Sequence, residues 1–277
     1  MTVCGTTTVH GIMGNPVSHS MSPAMHNAAF AECDLDGVYV PFPVTDVASA
    51  VTGFRALAVR GVSVTIPHKK SVMSFVDTLD PVAEKIGAVN TLVNDGGHIT
   101  GYNTDWIGAN MALETVMPLA GKTVIVLGAG GSARAIGFGL VEAGAKPVII
   151  CRNAEQGTEL ACNLDCPWYP LTDLNDVQAD CLVNATSVGM GDLADLSLVD
   201  PAKVGEFKLV MDIVYAPLET KLLREAKASG CTVINGLQML LLQGVAQFEL
   251  WTGQSAPIEA MRRVLYDHFG EKLSSDK

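Results

Sequence analysis

The chain contains the run Thr123-Val124-Ile125-Val126-Leu127-Gly128-Ala129-Gly130-Gly131-Ser132-Ala133. Its first five residues are mostly apolar and β-branched, which predicts a buried strand, and residues 133–143 follow a helical pattern. Gly128, Gly130 and the small Ala133 match the fingerprint of a dinucleotide-binding turn, in which the backbone approaches a pyrophosphate at a helix N-terminus. The predicted cofactor-binding residues of this turn are Gly128, Ala129, Gly130, Gly131, Ser132 and Ala133.

Alternating apolar and helical segments on both sides of this run predict an α/β fold with two domains. Predicted strands lie at 38–42, 61–65, 123–127, 147–151, 181–185 and 209–213, and predicted helices at 46–59, from 104 to about 117, 133–143, 237–251 and 257–269. The later strands predict a doubly wound Rossmann-type dinucleotide domain. The earlier strand–helix–strand units predict a parallel sheet in an N-terminal α/β substrate domain. The expected boundaries are 1–103 for the substrate domain, 104–236 for the dinucleotide domain and 237–277 for helices that return to the substrate domain.

Composition excludes several classes of function. The 277 residues are 48% hydrophobic and 17% charged with a net charge of −11, and their densest basic spots are 68–70 and 262–263. A nucleic-acid partner is therefore not expected. The sequence has no apolar run long enough for a membrane span, and its N-terminus does not resemble a secretory signal. Seven cysteines without a Cys-x-x-Cys pair or nearby histidines predict reduced thiols, no metal site and a cytoplasmic location.

The end of the second strand of the dinucleotide domain bears on the choice of cofactor. NAD-binding proteins tend to place an acidic residue there, but this chain has Arg152 and Asn153, with no acid before Glu155. The planar guanidinium of Arg152 suits a ribose phosphate, so the sequence favours NADP. A solvated surface arginine is the alternative.

Lys69 follows Pro67 at a predicted strand end, where ligands bind in open α/β sheets. Asp105 is a candidate carboxylate partner for it in proton transfer. Local sequence alone leaves an alternative open for each residue. In the alternative for Lys69, it is a solvent-facing lysine beside Lys70; in the alternative for Asp105, one of the residues 103–105 is the N-cap of the following helix. Ser22 precedes Pro23 as a helix N-cap does, whereas the hydroxyl of Ser20 is expected to point into the space before that helix.

Eight ordered segments make the whole chain resemble the shikimate dehydrogenase family. They are Gly14-Asn15-Pro16-Val17-Ser18-His19-Ser20-Met21-Ser22-Pro23, Val64-Thr65-Ile66-Pro67-His68-Lys69, Gly87-Ala88-Val89-Asn90-Thr91, Gly101-Tyr102-Asn103-Thr104-Asp105, Gly128-Ala129-Gly130-Gly131, Asn184-Ala185-Thr186-Ser187-Val188-Gly189-Met190, Asp212-Ile213-Val214-Tyr215 and Gly236-Leu237-Gln238-Met239-Leu240-Leu241-Leu242-Gln243.

The resemblance implies an NADP-dependent enzyme that reversibly reduces 3-dehydroshikimate to shikimate in chorismate and aromatic amino acid biosynthesis. It implies Lys69 and Asp105 as the catalytic proton-transfer pair, and Thr186, Ile213 and Gly236 beside the nicotinamide. The implied substrate-binding residues are Ser20, Ser22, Thr65, Asn90, Asp105, Tyr215 and Gln243. A homodimer is expected.

Two departures from the family pattern keep alternatives open. Ser63 stands where the family usually has Asn, and the loop at Cys151-Arg152-Asn153 lacks the second basic residue that the family usually carries. A quinate/shikimate dehydrogenase that uses NAD, or both cofactors, is therefore the nearer alternative. A non-catalytic dinucleotide-sensing protein is the more remote one.

Overall fold

A computed structural model describes residues 2–270 of the chain and divides it into two units. The first unit comprises Met1–Thr104 and Gln243–Lys277, and the second comprises Asp105–Leu242. Residues 271–277 of the predicted C-terminal segment lie outside the described residues.

The first unit is built on a six-stranded mixed sheet. Its strands are β1 (Thr8–Gly14), β2 (Gly37–Pro43), β3 (Gly61–Val64), β4 (Thr78–Leu79), β5 (Thr91–Asp95) and β6 (His98–Tyr102), in the order β2-β1-β3-β5-β6-β4. Strands β2 and β3 run parallel, as predicted, but both pair with β1, a strand that was not predicted, and β5 pairs antiparallel with both β3 and β6. The prediction of a purely parallel sheet is therefore wrong for this half. Gly96 and Gly97, at φ values of 58° and 97°, form the two-residue turn that joins β5 to β6 as a hairpin.

Two of the helices of the first unit, α2 (Val47–Ala56) and α3 (Pro81–Ile86), begin at an aspartate cap. The others are α1 (Ser22–Glu32), the last part of α9 (Gly236–Thr252), and α10 (Ile258–His268), which packs against α1. Asp46 accepts hydrogen bonds from the first-turn N–H groups of α2, and Asp80 does the same for α3. Met13 of β1 and two valines of β3 pack with Val51 and Phe54 of α2 in the core of this unit.

The second unit is a doubly wound parallel sheet, which confirms the predicted fold class. Its elements are α4 (Asp105–Glu114), β7 (Thr123–Leu127), α5 (Gly131–Glu142), β8 (Lys146–Cys151), α6 (Ala154–Leu164), β9 (Trp168–Pro170), β10 (Cys181–Asn184), α7 (Pro201–Val204), β11 (Leu209–Asp212), α8 (Lys221–Ala228), β12 (Thr232–Ile234) and the first part of α9. The strand order is β12-β11-β10-β7-β8-β9, with every pair parallel. The chain reverses its winding direction between β7 and β10, where such sheets bind ligands beyond their carboxyl ends.

Both faces of this sheet are buried, which explains the continuous apolar strands. Val124 and Val126 of β7 pack on one face with α4 and α5, whereas Ile125 and Leu127 pack on the other with α7 and α8. A strand covered on both faces has no side that faces solvent, so it does not alternate apolar and polar residues. Among residues 2–270, no helix combines the length and the apolar character that crossing a membrane requires.

Candidate functional site

The glycine turn after β7 has a backbone that only glycine adopts readily. Gly128 has a φ of 110°, and its N–H donates a hydrogen bond of 2.8 Å to the carbonyl oxygen of Ile150 in β8. A Cβ atom at Gly128 would lie 3.1 Å from Cγ2 of Thr186, which follows β10. The turn therefore brings Gly128 and Thr186, both predicted cofactor residues, together at the switch point of the sheet.

Gly130 immediately precedes α5 and leaves the start of this helix open. No side chain among the described residues caps the helix at Gly130, and a Cβ placed there would meet no described atom within 4 Å. The first turn, Gly131-Ser132-Ala133, carries the positive end of the helix dipole. Open space before an uncapped helix start fits the pyrophosphate of a dinucleotide.

Arg152 and Asn153 follow β8 at the same edge of the sheet. Arg152 is exposed, as a residue that receives a ribose phosphate must be. Asn153 is the N-cap of α6, and its Oδ1 accepts a hydrogen bond of 3.0 Å from the Gln156 N–H. The capping contact gives Asn153 a structural role, and its predicted contact with the cofactor stays a prediction.

A buried polar cluster orients the loops that follow β10 and β11. Oδ1 of Asn184 accepts hydrogen bonds from the N–H of Thr186 at 3.1 Å and from its hydroxyl at 2.7 Å. The Asn184 Nδ2 donates to Oδ1 of Asp212 at 3.0 Å, and the same oxygen accepts from the Val214 N–H at 3.0 Å. Asn184 and Asp212 thus fix the two loops that carry Thr186 and Ile213.

Asp212 is fully buried, and burial raises its pKa to about 6. The opposing influences are hydrogen bonds from the Val214 N–H, the Thr220 hydroxyl at 2.7 Å and the Asn184 amide. Sequence reasoning did not single out Asp212, although a carboxylate at the end of an apolar strand was a visible signal. Nearby, a Cβ at Gly236 would collide with the Ile213 carbonyl oxygen, so this predicted pair is in close contact.

In the first unit, Asn90 lies at the centre of the predicted substrate residues. The Asn90 carbonyl accepts from the Val64 N–H at 2.7 Å, and the carbonyl of Lys69 accepts from the Val89 N–H at 2.8 Å. These bonds hold the segments of Asn90 and Lys69 side by side, and they place Thr65 next to the bonded Val64. Oε1 of Gln243 accepts a hydrogen bond of 3.3 Å from the Asn90 Nδ2, although 153 positions separate the two residues.

The side chains before α4 are also bonded to this region. Nδ2 of Asn103 donates to the Ala88 carbonyl at 2.8 Å, and the Thr104 N–H donates to Oδ1 of Asn90 at 2.8 Å. Asp105 is a buried residue in the first turn of α4, and Tyr215 is half-buried after β11. Lys69 is half-buried, and its catalytic pairing with Asp105 stays a prediction.

Ser20 and Ser22 lie at the start of α1, where only the side chain of Ser20 bonds a backbone N–H of the helix. Met21 occupies the N-cap position without a capping hydrogen bond from its own side chain, and Ser22 is buried as the first residue of the helix. Instead, Oγ of Ser20 accepts a hydrogen bond of 3.2 Å from the Ser22 N–H. The N-cap alternative for Ser22 is therefore wrong, because Ser20 already occupies the first N–H of the helix.

In the part of the chain that the structure describes, no group of three or more His, Cys, Asp or Glu side chains is placed to hold a metal ion. The seven cysteines, all within that part, are free thiols.

Known proteins are similar to this chain over most of its length. Two family models match the chain: a shikimate dehydrogenase substrate binding domain over residues 12–92, and a shikimate 5'-dehydrogenase C-terminal domain over residues 236–266. A shikimate dehydrogenase (NADP(+)) from Moorella thermoacetica is 45% identical over 273 residues, with 94% of this chain and 92% of the relative covered.

Two crystal structures are similar over nearly the whole chain. A shikimate dehydrogenase in complex with NADP+ has a TM-score of 0.90 at 39% identity and covers 98% of both chains. A shikimate 5-dehydrogenase from Listeria monocytogenes, in complex with shikimate and NAD, has a TM-score of 0.86 at 36% identity, with 95% of this chain and 98% of that one covered. The resemblance predicted from the ordered motifs is confirmed.

Proposed function

This chain belongs to the shikimate dehydrogenase family, and from that premise we propose that it reversibly reduces 3-dehydroshikimate to shikimate with NADPH, in chorismate and aromatic amino acid biosynthesis. The observation that carries the proposal is the grouping of Thr65, Lys69, Asn90 and Gln243 in the first unit. Thr65, Asn90 and Gln243 supply neutral hydrogen-bonding groups beside Lys69. That combination suits a small substrate with several hydroxyls and one reacting carbonyl.

The substrate is held by groups that each need a polar partner. We assign Ser20, Ser22, Thr65, Asn90, Asp105, Tyr215 and Gln243 to the carboxylate and ring hydroxyls of shikimate. A buried amide or hydroxyl of the protein that loses its hydrogen-bond partner raises the free energy of the complex. An analogue that lacks one hydroxyl therefore binds more weakly than its smaller contact area alone would predict.

Lys69 and Asp105 are assigned to proton transfer. Lys69 donates a proton to the oxygen of the substrate carbonyl as that oxygen gains negative charge, and it takes the proton back in the reverse direction. The Asp105 carboxylate stabilises the ammonium form and orients it. Positioned acid catalysis of this kind contributes about 10²–10⁴-fold to a rate.

The residues of the second unit fit a dinucleotide. The open helix start at Gly130 suits the pyrophosphate, the exposed Arg152 suits a ribose phosphate, and Thr186, Ile213 and Gly236 line the nicotinamide end in this assignment. When bound, NADPH supplies the hydride that the carbonyl carbon receives.

The second candidate function is a quinate/shikimate dehydrogenase that accepts NAD or both cofactors. The observation that favours it is the loop after β8, where Arg152 is the one basic residue and the exposed Glu155 lies three positions on. A carboxylate near the adenosine ribose favours a hydroxyl over a phosphate. The Listeria monocytogenes relative, which was crystallised with shikimate and NAD, is consistent with this second candidate.

The test is a steady-state matrix of shikimate and quinate against NADP and NAD. We expect kcat/KM to be highest for shikimate with NADP. Comparable turnover of quinate, or a preference for NAD, would transfer the assignment to the second candidate. Purified protein that reduces neither cofactor with either substrate would leave a non-catalytic dinucleotide-binding protein.

The setting of the enzyme is also part of the proposal. We infer a cytoplasmic location with small-molecule partners, which the seven free thiols support because such thiols persist in reducing compartments. The proposal includes a homodimer and no nucleic-acid partner. Light scattering after size-exclusion chromatography tests the former, and a DNA-binding titration at low salt tests the latter.

A further inference from the structure

A chain of hydrogen bonds runs through the interior of the first unit and ends on Asn90. The Tyr39 hydroxyl donates to Oγ of Ser63 at 2.6 Å, and the Ser63 hydroxyl donates to Oε1 of Gln247 at 2.7 Å. Nε2 of Gln247 donates to Oγ1 of Thr91 at 2.8 Å, and the Thr91 hydroxyl donates to Oδ1 of Asn90 at 2.7 Å. All five residues are 5% exposed or less, so the bonds do not compete with water. We call these residues the Gln247 chain.

The polarity of the Gln247 chain is fixed at Gln247. Its Nε2 also donates to the carbonyl oxygen of Asn90 at 3.1 Å, so the nitrogen faces β5 and the amide oxygen faces Ser63. A hydroxyl has a single proton. Because the Gln247 N–H occupies a lone pair of the Thr91 oxygen, the Thr91 proton points to Asn90. Gln247 therefore sets the direction of the last hydrogen bond.

This last bond determines which atom Asn90 offers to a ligand. Oδ1 of Asn90 accepts from the Thr91 hydroxyl at 2.7 Å and from the Thr104 N–H at 2.8 Å, and the Thr104 hydroxyl lies 3.3 Å from the same oxygen. The two short bonds use both lone pairs of this oxygen. The Nδ2 of Asn90 lies 2.9 Å from Oγ1 of Thr104 and 3.3 Å from Oε1 of Gln243. The N–H that makes the longer contact, with Gln243, can also donate to an oxygen of a ligand. Asn90 can therefore act towards a substrate only as a hydrogen-bond donor.

We propose that Gln247 is a positioning residue for substrate recognition, which acts through Thr91 to hold Asn90 as a donor to one substrate oxygen. The inference rests on the proposed function, in which Asn90 binds a ring hydroxyl of shikimate. It also gives a role to Ser63, a departure from the usual family sequence. The Ser63 hydroxyl holds the Gln247 oxygen away from β5 and so preserves the polarity of the Gln247 chain.

The experiment removes the polar links one at a time while keeping side-chain volume. Gln247→Met deletes the amide, Thr91→Val deletes the hydroxyl, and the double variant deletes both. Thr91→Ser keeps the hydroxyl and serves as the rescue variant. Trp251→Phe is the matched control, because Trp251 lies one turn further along α9 and donates a hydrogen bond of 3.0 Å to the Leu92 carbonyl, outside the Gln247 chain.

We expect Gln247→Met and Thr91→Val each to raise the KM for shikimate about tenfold, as the loss of one well-oriented hydrogen bond does, with the KM for NADP unchanged. The double variant should be no worse than either single variant, because both substitutions break the same path. Thr91→Ser and Trp251→Phe should keep shikimate KM near the wild-type value. Thermal unfolding of every variant separates these effects from lost stability.

Two results would overturn the inference. In the first, the effects of Gln247→Met and Thr91→Val multiply in the double variant. In the second, Trp251→Phe raises shikimate KM as much as they do, which would make Gln247 a residue of stability alone. Asn90→Ala distinguishes this failure from failure of the proposed function. If Asn90→Ala leaves shikimate KM unchanged, Asn90 is not in the site and both conclusions fall; if it raises KM and the Gln247 chain variants do not, the inference alone falls.

Discussion

The two units hold their candidate residues by different means. In the second unit, the glycines among the predicted cofactor residues are placed by backbone geometry: Gly128 has a positive φ, and Gly236 allows the Ile213 carbonyl to approach. Side chains contribute there only to the loops of Thr186 and Ile213, which Asn184 and Asp212 hold. In the first unit, Asn90 and Gln243 are placed by side chains that are bonded to one another. A pyrophosphate is recognised by backbone N–H groups at a helix start, whereas a polyhydroxylated ring needs oriented amides and hydroxyls. The difference follows from the two ligands that we propose.

The units also differ in their buried titratable groups. His10 and His26 are buried in the first unit among Phe30, Tyr39 and Trp251. Burial, followed by the charge of Arg60, lowers the pKa of His10 to about 4, and burial lowers that of His26 to about 3. In the second unit, burial raises the pKa of Asp212 to about 6. Acid should therefore destabilise the first unit through its histidines and stabilise the second through Asp212.

The largest expected effect tests whether a side chain of the first unit carries the chemistry. Lys69→Ala should lower kcat by about 10²–10⁴-fold, the usual contribution of a positioned acid, with little change in the KM for shikimate or NADP. Steady-state kinetics measure all three constants. Lys70→Ala is the matched control, because Lys70 is the adjacent exposed lysine and has no assigned role. Equal rates for Lys69→Ala and Lys70→Ala would remove Lys69 from the mechanism.

The second prediction concerns the buried histidines. Their folded pKa values lie below the ordinary 6.5, so the unfolded chain takes up protons first as the pH falls. The free energy of unfolding should therefore fall between pH 6.5 and 4, by up to about 1.4 kcal/mol per pH unit for each histidine. Urea unfolding across this range should show a shallower slope for His10→Phe and for His26→Phe than for the wild type. Parallel slopes would mean that the histidines are protonated without cost.

The two units also differ in how much of their structure could be predicted from the sequence. Strand β7 was predicted at the observed bounds, and the glycine turn was predicted in the right place, although α5 begins at Gly131, two residues earlier than expected. All the determinants of this segment lie within eleven consecutive residues. The partners of Asn90 and Thr91 on α9 were not predictable locally, since 153 and 156 positions separate them from Gln243 and Gln247. The family motifs supplied Gln243, but they gave no role to Gln247.

The β5–β6 hairpin shows a different kind of miss. Its signal was present in the local sequence, as Gly96-Gly97 between two short β-prone runs. The hairpin was not predicted, because the first half of the chain was interpreted as parallel strand–helix–strand units. Helix α4 was predicted to run to about residue 117 but ends at Glu114, because apolar residues continue past the last helical turn.

The third prediction concerns Asp212, whose pKa shift, and therefore whose effect on stability as the pH falls, is opposite in direction to that of the histidines. Its folded pKa of about 6 exceeds the usual 3.8, so its contribution to stability is full below 3.8 and is lost as the pH rises through 6. Asp212→Asn keeps the shape but cannot titrate. The wild type should gain stability over Asp212→Asn by up to about 1.4 kcal/mol per unit as the pH falls from 6 to 4. A constant difference between the two proteins in urea unfolding would show that Asp212 stays ionised.

The smallest expected effect comes from adding one methyl group at Gly130, which tests whether the backbone of the second unit approaches the cofactor. A Cβ at Gly130 meets no described atom within 4 Å, and Gly130 has a φ of −77°, so Gly130→Ala should unfold at the wild-type temperature. The methyl would project into the space assigned to the pyrophosphate, and we expect KM for NADP to rise about tenfold while shikimate KM stays constant. Gly53→Ala on α2 is the control, since its Cβ also has open space but lies in the first unit. If both variants bind NADP equally well, the backbone at Gly130 does not approach the cofactor. The two units would then differ less than their geometry indicates.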